Sequence, residues 1–259
     1  MEGTAKINLV CIREGRREQA KDMVARELLL TIILNDQELV TLLCSPTKLD
    51  SLAVGFLFSE GLIRAKEDIK KVVLDERRGI VRVKIKEPLD LATETLFKRF
   101  ITSRCGRGAS FYQLDDVQSL TKVESPLKVS ANRILALARE FQQHSQVYKA
   151  TGGVHSAALC SAEGILIFQE DIGRHNAVDK IFGESLLKNI STEDKMLFTS
   201  GRISSEILLK ATKGRIPILA SISAPTELAI RMANELKVTL IGFVRGRRMN
   251  IYAGEWRVS

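Results

Sequence analysis

The sequence predicts an α/β protein in which a smaller β-rich lobe precedes the main domain. From about residue 148, short and almost wholly apolar runs alternate with amphipathic helical patterns, which is typical of a sheet covered by helices on both faces. In the first hundred residues, two apolar, β-branched strand pairs flank one helical pattern and predict a β-β-α-β-β lobe. We therefore expect the lobe mainly over residues 1–103, a cysteine loop and a connector helix over 104–147, and the α/β domain over 148–259.

The elements of the smaller lobe follow from its apolar runs and turn residues. One helix is predicted between Thr47, a suitable N-cap, and Gly61, a suitable stop, because the apolar residues between them recur at helical spacing. The charged stretch over residues 13–27 mixes both signs and predicts a solvated face. Four strands are predicted at the apolar runs 28–34, 39–43, 72–74 and 80–85.

The elements of the second half are predicted in the same way. Ser130 begins the connector helix, and the segment Ser223-Ala224-Pro225-Thr226 begins the last helix, with its proline early in the first turn. The two intervening helices bury apolar faces that include Ile181 and Leu208. Five strands are predicted at 157–159, 165–168, 196–199, 216–220 and 238–244.

Composition limits the cellular context and the chemistry. A chain of 259 residues with 45% hydrophobic content can bury a sizeable core. Its four cysteines show neither CxxC spacing nor paired histidines, so we expect no disulfide framework and no metal held by the protein. The N-terminus lacks the pattern of a signal peptide, and no run of about 18 apolar residues occurs. We therefore expect a cytoplasmic protein without a membrane span.

The formal charge of +8 predicts an anionic partner. Only 5% of the residues are aromatic, which argues against a surface on which single-stranded nucleic acid stacks. The spacing of a helix-turn-helix or zinc finger is also missing. A small phosphorylated ligand is therefore favoured over nucleic acid.

Cys105 is the candidate nucleophile. It lies in Ser103-Arg104-Cys105-Gly106-Arg107-Gly108-Ala109, where glycines let the backbone approach a ligand and arginines favour the reactive thiolate. The alternative is a small buried cysteine. That alternative fits Cys44 and Cys160 better, because both have apolar neighbours.

Three polar turns at the ends of predicted strands form a candidate pocket. Their glycines and the starts of the following helices are suited to anions, although neither a Walker A nor a GxGxxG pattern is present. The alternative makes Asp171 a helix cap and His175 a satisfied surface residue. The candidate pocket residues are His155, Asp171, Arg174, His175, Ser200 and Arg202.

A fourth loop, Phe243-Val244-Arg245-Gly246-Arg247-Arg248, follows the last long strand. Arginine forks suit phosphate oxygens, so this loop is a candidate anion site. The alternative is a charged, solvent-exposed hairpin turn leading into residues 249–252.

Taken together, these residues resemble the formate dehydrogenase accessory sulfurtransferases, the FdhD family. The most specific match is the run from Asp171 to Lys180, Asp-Ile-Gly-Arg-His-Asn-Ala-Val-Asp-Lys. Four further segments match: Leu52 to Gly61, the cysteine segment, Thr151 to His155, and the turn Ser223 to Thr226. The resemblance implies a cytidine deaminase-like α/β domain with a smaller lobe, acting as a homodimer.

The resemblance also implies a function. Such a protein accepts sulfur from a cysteine desulfurase, holds it as a persulfide, and passes it to a molybdenum or tungsten cofactor before insertion into formate dehydrogenase. That cofactor, the bis(molybdopterin guanine dinucleotide) form, is bound as a substrate. The loop over Phe243, Val244, Arg245, Gly246, Arg247 and Arg248 matches the segment that contacts it.

The chain departs from the family pattern at one cysteine. The family commonly has Cys-Gly-x-Cys-Gly, whereas Gly108 stands here where the second cysteine is expected. A relay between two thiols is therefore ruled out, while one thiolate at Cys105 suffices to carry sulfur. Neither His-x-Glu nor Pro-Cys-x-x-Cys occurs, so the ligands for zinc-dependent deamination are missing.

A second hypothesis belongs to a different class. The protein could shelter the dinucleotide cofactor as a guanine-nucleotide-binding chaperone of formate dehydrogenase, without sulfur chemistry. The missing second cysteine is the feature that favours it.

Overall fold

The computed structural model describes residues 2–86 and 121–259, so Cys105 lies outside the described residues. The chain begins with a two-stranded antiparallel hairpin of β1 (Thr4–Arg13) and β2 (Arg16–Ala25). This hairpin was not predicted. Its residues are mostly exposed, as expected for a solvated face, but the many charges of β2 hide the period of two that marks a strand.

The smaller lobe contains a four-stranded sheet and one helix. The strand order is β4-β3-β6-β5, in which β3 and β6 are parallel and the other pairs are antiparallel. The helix buries Leu52 and Phe56, among others, in the core of this lobe. The elements are β3 (Leu28–Leu34), β4 (Gln37–Cys44), α1 (Leu49–Glu60), β5 (Ile69–Asp75) and β6 (Ile80–Ile85).

The predicted C-terminal end of α1 is correct, whereas its predicted N-cap is not. The N-cap is Lys48 in a left-handed conformation, without a side-chain cap, so the prediction that Thr47 caps the helix is wrong. Thr47 instead accepts a hydrogen bond from Nζ of Lys180 at 3.3 Å. The C-terminal prediction is confirmed, because Gly61 adopts φ 80° and its N–H donates to the carbonyls of Leu57 and Phe58.

A mixed six-stranded sheet forms the centre of the larger domain. The strand order is β12-β11-β10-β9-β7-β8, with β9, β10 and β11 parallel and the outer pairs antiparallel. The central strands are buried on both faces. The strands are β7 (His155–Cys160), β8 (Ile165–Asp171), β9 (Met196–Thr199), β10 (Ile218–Ser221), β11 (Thr239–Arg245) and β12 (Arg248–Ala253).

Helices cover both faces of this sheet, which confirms the predicted α/β fold class. One face packs against α4, α5 and α6. The other packs against α2, so the predicted connector helix is a structural layer of the sheet. The helices are α2 (Ala131–His144), α3 (Gln146–Thr151), α4 (Arg174–Leu187), α5 (Ser205–Lys213) and α6 (Glu227–Glu235).

The start of α6 differs from the prediction. Thr226 is the N-cap, and its side chain accepts a hydrogen bond from the N–H of Ala229. Pro225 therefore precedes the cap and lies outside the first turn. None of the helices in residues 2–86 and 121–259 is long and apolar enough to cross a membrane.

Two glycines let the lobes meet closely. A Cβ on Gly55 of α1 would lie 1.7 Å from the carbonyl oxygen of Asp179, and a Cβ on Gly183 of α4 would lie 1.8 Å from that of Ser51. No side chain fits at either position, so α1 and α4 pack backbone against backbone. This contact joins the smaller lobe to the helical layer of the larger domain.

Candidate functional site

The predicted polar turns meet at one edge of the larger sheet. Because β9, β10 and β11 are parallel, their carboxyl ends lie at the same edge, where ligands bind in open α/β sheets. The antiparallel strand β7 starts there, since Ala157 pairs with Thr199, and His155 pairs with Asp171 at the end of β8. The edge therefore gathers residues from four separate parts of the sequence.

A cavity of about 640 Å³ opens at this edge. Its lining is partly apolar, with Phe141, Val154, Ile172 and Ile222 among the residues that form it. Polar residues complete the lining, including Ser145, Ser156, His155 and Ser200. The combination of apolar walls and few polar groups is typical of a small-molecule site.

Hydrogen bonds fix the polar side of the cavity. Ser200 Oγ accepts from the N–H of Ser156 at 2.9 Å and lies 3.3 Å from Nδ1 of His155. The hydroxyls of Ser145 and Ser156 lie 3.0 Å apart. Neither serine is among the predicted pocket residues, although Ser156 directly follows His155 in the turn that contains Gly152 and Gly153.

His155 is held in its neutral form. Burial lowers its pKa from the usual 6.5, and the nearby charges of Arg174 and Arg202 lower it further. Asp171 acts in the opposite direction but does not outweigh them. At pH 7 the imidazole therefore offers one hydrogen-bond donor and one acceptor without adding charge.

Arg174 is the first residue of α4, after an N-cap, Gly173, that provides no side-chain acceptor. The Nε atom of Arg174 is buried and has no hydrogen-bond partner among the described residues. Gly201 allows the loop after β9 to lie against it, since a Cβ there would be 3.0 Å from Cβ of Arg174 and 3.5 Å from Nδ1 of His155. The neighbouring Arg202 is exposed.

Asp171 has a structural role, because its carboxylate is buried and fully occupied by contacts within the protein. It is fully buried and pairs with the equally buried Lys180 at 2.7 Å. Its carboxylate also accepts from the N–H groups of Ser45 and Gly173 and from the side chain of Asn176. The alternative interpretation made Asp171 the cap of this helix. Asp171 does accept a hydrogen bond from the N–H of Gly173 at the start of α4, but the N-cap residue is Gly173.

His175 points away from the lining of the cavity toward α5. Its Nε2 lies 3.3 Å from Oε2 of Glu206. Burial, together with the charges of Lys210, Arg174 and His155, lowers the pKa of His175 to about 3. The ring therefore stays neutral at pH 7, although the carboxylate of Glu206 is close to it.

The 243–248 loop lies at the end of β11 and turns the chain into β12. Its local structure is the hairpin turn of the alternative interpretation, and Arg245, Arg247 and Arg248 are exposed. Val244 is fully buried in the hydrophobic core beneath the loop and has no surface open to a ligand. Phe243 adopts φ 53°, a conformation that non-glycine residues seldom take and that often occurs at functional sites.

Two hydrogen bonds attach this loop to the cavity wall. The N–H of Phe243 donates to the carbonyl of Ser223, and Nε of Arg245 donates to the carbonyl of Ile222 at 2.8 Å. The guanidinium carbon of Arg245 lies 5.8 Å from the centre of the Phe243 ring. The loop is thus fixed beside the cavity, with its cations toward solvent.

The described residues contain no group of three or more His, Cys, Asp or Glu side chains arranged to hold a metal ion. The other candidate, Cys105, lies outside the described residues.

The profile of the FdhD/NarQ family matches residues 25–259. Two similar proteins are the sulfur carrier protein FdhD of Bacillus subtilis, 46% identical over 95% of this chain and 94% of the relative, and that of Listeria innocua, 45% identical over 95% of each.

A solved structure agrees with these relatives. The crystal structure of a protein from Desulfotalea psychrophila, described as a formate dehydrogenase accessory protein, matches with a TM-score of 0.82. It is 25% identical, and the match covers 99% of each chain. Sequence profile, relatives and fold lead to the same assignment, and the chain belongs to the FdhD/NarQ family.

Proposed function

We propose that this protein is a sulfur carrier for formate dehydrogenase. It accepts sulfur from a cysteine desulfurase as a persulfide on Cys105 and delivers it to the bis(molybdopterin guanine dinucleotide) cofactor, with molybdenum or tungsten as its metal. The observation that carries the proposal is the 46% identity to a sulfur carrier protein over 95% of the chain. The formate dehydrogenase accessory protein of the same fold supports the choice of client.

The loading step needs one thiolate. Cys105 attacks the outer sulfur of the persulfide on the desulfurase, the bond between the two donor sulfurs breaks, and the donor cysteine leaves as a thiolate. The transferred sulfur is now the outer atom of a persulfide on Cys105. Arg104 and Arg107 flank this cysteine and favour its thiolate form.

Release needs a second thiol from outside the cysteine segment, because Gly108 replaces the second family cysteine. An external thiol attacks the inner sulfur, forms a mixed disulfide with Cys105 and releases hydrosulfide for the cofactor. Another thiol then reduces the mixed disulfide and restores Cys105. Cys11, Cys44 and Cys160 are free thiols, but the last two are buried.

The site at the sheet edge suits the proposed substrate. The cavity volume of about 640 Å³ falls within the range of about 300–1,000 Å³ that is common for small-molecule sites. Its apolar walls can receive a planar ring system, and the arginines beside it can receive phosphate oxygens. The net charge of +8 favours the same anionic ligand.

The test is maturation of formate dehydrogenase in cells that lack their own carrier. We expect Cys105→Ser to lower formate dehydrogenase activity by at least about 100-fold, because the persulfide has no other site. Cys11→Ser is the matched control, since this free thiol lies in the N-terminal hairpin, and it should retain normal activity. Full activity of a folded Cys105→Ser protein would refute the proposal.

A second candidate function is favoured by Gly108, which stands in place of the second family cysteine. A chaperone that binds and shelters the guanine nucleotide cofactor needs no thiol, and the cavity beside the 243–248 loop suits that role. This function predicts guanine nucleotide binding and maturation that are both indifferent to Cys105→Ser but weakened by Arg245→Ala and Arg247→Ala. The maturation assay above separates the two functions.

A further inference from the structure

The four-stranded sheet of the smaller lobe has one open face. Its other face is buried against α1, because the inward side chains of β3 and β6, such as Ile32 and Val83, belong to the core of the lobe. Since α1 packs backbone against backbone on α4, the open face points away from the larger domain. Side chains alternate between the two faces along each strand, so the register identifies the residues of the open face.

The open face carries exposed apolar side chains. Leu29 of β3 lies directly opposite Leu43 of β4, and the two side chains of this leucine pair are 64% and 43% exposed. Val73 of β5, opposite Arg82 of β6, is 40% exposed, and Ile33 on the same face is half-buried. Single exposed apolar residues are common, but several on one rigid face indicate a surface that a partner covers.

Three cations, Lys71, Arg82 and Lys84, form a basic cluster on the same face. Lys71 of β5 lies directly opposite Lys84 of β6, and Arg82 precedes Lys84 by two residues. Like charges directly opposite each other destabilise a sheet. Lys84 pairs with Asp36 at 3.3 Å, whereas no carboxylate of the described residues forms an ion pair with Lys71 or Arg82. An acidic partner would therefore relieve the repulsion within the cluster.

Much of the positive charge of the chain is concentrated around this cluster. Residues 69–86, which include β5, the turn after it, and β6, contain seven Lys and Arg residues but only two Asp and Glu residues. The formal charge of the whole chain is +8, so this short segment holds more than half of it. A charge of one sign on one surface attracts an acidic partner and speeds the encounter with it.

Charge and size select among the candidate partners. A second copy of the chain would bring the same basic cluster to both sides of the contact, which is unfavourable. Four strands about 4.8 Å apart and about six residues long give the face roughly 400 Å². Each partner in a stable complex contributes about 800 Å². The open face therefore suits a brief, salt-sensitive contact with an acidic protein.

We propose that the open face docks an acidic surface of the protein that donates sulfur to Cys105. The inference rests on the proposed function, which requires such a donor. The client enzyme fits less well, because it must meet the cavity proposed for the cofactor, and the open face points away from the larger domain that contains this cavity. The leucine pair supplies apolar contact area, while the basic cluster orients the donor and accelerates its association.

Sulfur loading of Cys105 from two donors tests the proposal. One donor is a purified cysteine desulfurase with cysteine, and the other is glutathione persulfide, a small molecule that transfers its outer sulfur without a docking surface. Mass spectrometry measures the addition of about 32 Da to the peptide that contains Cys105.

With the desulfurase, Lys71→Glu and Arg82→Glu should each raise the half-saturating concentration of this protein at least about 10-fold, because attraction becomes repulsion. The maximal rate should stay within about 2-fold of the wild type, because docking and not sulfur exchange is impaired. With glutathione persulfide, both variants should load at the rate of the wild type.

Arg139→Glu is the matched control. It makes the same charge change at an exposed position of α2, on the far side of the larger sheet, and should leave loading from the desulfurase within about 2-fold of the wild type. Leu29→Thr removes apolar area but keeps strand propensity, and it should raise the half-saturating concentration about 3- to 10-fold. Added salt should slow loading of the wild type more than loading of Arg82→Glu.

Thermal melts verify that each variant is folded. Normal loading of folded Lys71→Glu and Arg82→Glu proteins by the desulfurase would overturn the docking surface, as would an equal loss in Arg139→Glu. Binding of anionic phospholipid vesicles or duplex DNA through the same cations, without an effect on loading, would assign the face to another partner and also overturn it. Failure of Cys105 to load from either donor would instead refute the sulfur-carrier function, and the docking inference with it.

Discussion

At the residue scale, the buried pair of Asp171 and Lys180 connects the smaller lobe to the site. Nζ of Lys180 also donates to the carbonyl of Ser45 and to Oγ1 of Thr47, which both belong to the lobe. Asp171 in turn accepts a hydrogen bond from the N–H of Gly173, the residue directly before Arg174. The position of the first residues of α4 therefore depends on the lobe.

Removing one partner of this pair should be costly. Lys180→Met leaves a buried carboxylate without its cation, and we expect the free energy of unfolding to fall by about 3–5 kcal/mol. Urea denaturation measures the difference. Arg231→Met is the control, because Arg231 and Glu227 are 62% and 75% exposed in their ion pair, which should contribute no more than about 1 kcal/mol. Equal losses in the two variants would contradict this account.

His175 should make the protein sensitive to acid. Its folded pKa is lowered to about 3, whereas a histidine in an unfolded chain has a pKa of about 6.5. As the pH falls below about 6.5, the unfolded chain takes up a proton that the folded chain does not. The free energy of unfolding therefore decreases by up to about 1.4 kcal/mol per pH unit until the pH approaches 3.

The measurement compares melting temperatures at pH 7 and pH 5. We expect the acid-induced decrease to be smaller in His175→Gln than in the wild type, because the variant has no proton to take up at this position. The same substitution at the exposed His144 of α2 should leave the decrease unchanged. An identical decrease in wild type and His175→Gln would show that burial does not suppress protonation of His175.

At the scale of elements, the contact between α1 and α4 holds the two lobes together. Ser59 of α1 donates to Asp179 of α4 at 2.5 Å, and Lys210 of α5 donates to the same carboxylate at 2.6 Å. The backbone contact at Gly55 and Gly183 brings these groups within reach. The polar network and the close packing therefore depend on each other.

Gly55→Ala should disrupt this contact. A Cβ placed 1.7 Å from a carbonyl oxygen forces the helices apart, and we expect a loss of at least about 3 kcal/mol in stability, or failure to fold. Gly164→Ala is the control, because a Cβ at Gly164 meets no atom within 4 Å. Chemical denaturation of both proteins measures the effect, and a stable Gly55→Ala protein would contradict the packing described.

Sequence patterns located the elements better than the contacts between them. Apart from the short helix α3, which was not predicted and buries no residue, the strands and helices from β3 to α6 have local signals in the period of apolar residues. The backbone contact between Gly55 and Gly183 joins segments more than a hundred residues apart, and no local pattern reveals it. The N-cap at Lys48 was missed for a similar reason, because Thr47 is used by the distant Lys180.

At the scale of the whole molecule, the sheet edge combines loops that are far apart in sequence. The loops carrying His155, Arg174, Ser200 and Arg202 were predicted separately from their glycines and polar residues. The rule that ligands bind at strand ends predicts that they converge, and the strand order places them side by side. The contact between Ser145 and Ser156 could not be predicted, because it depends on how the end of α2 packs against β7.

The most direct test of the central claim is mass spectrometry of the protein after incubation with a cysteine desulfurase and cysteine. The account predicts an addition of about 32 Da, one sulfur atom, on the peptide that contains Cys105, and its loss after treatment with a thiol reductant. An unmodified Cys105 under conditions that load another member of the family, or sulfur found only on Cys11, would contradict the sulfur-carrier function.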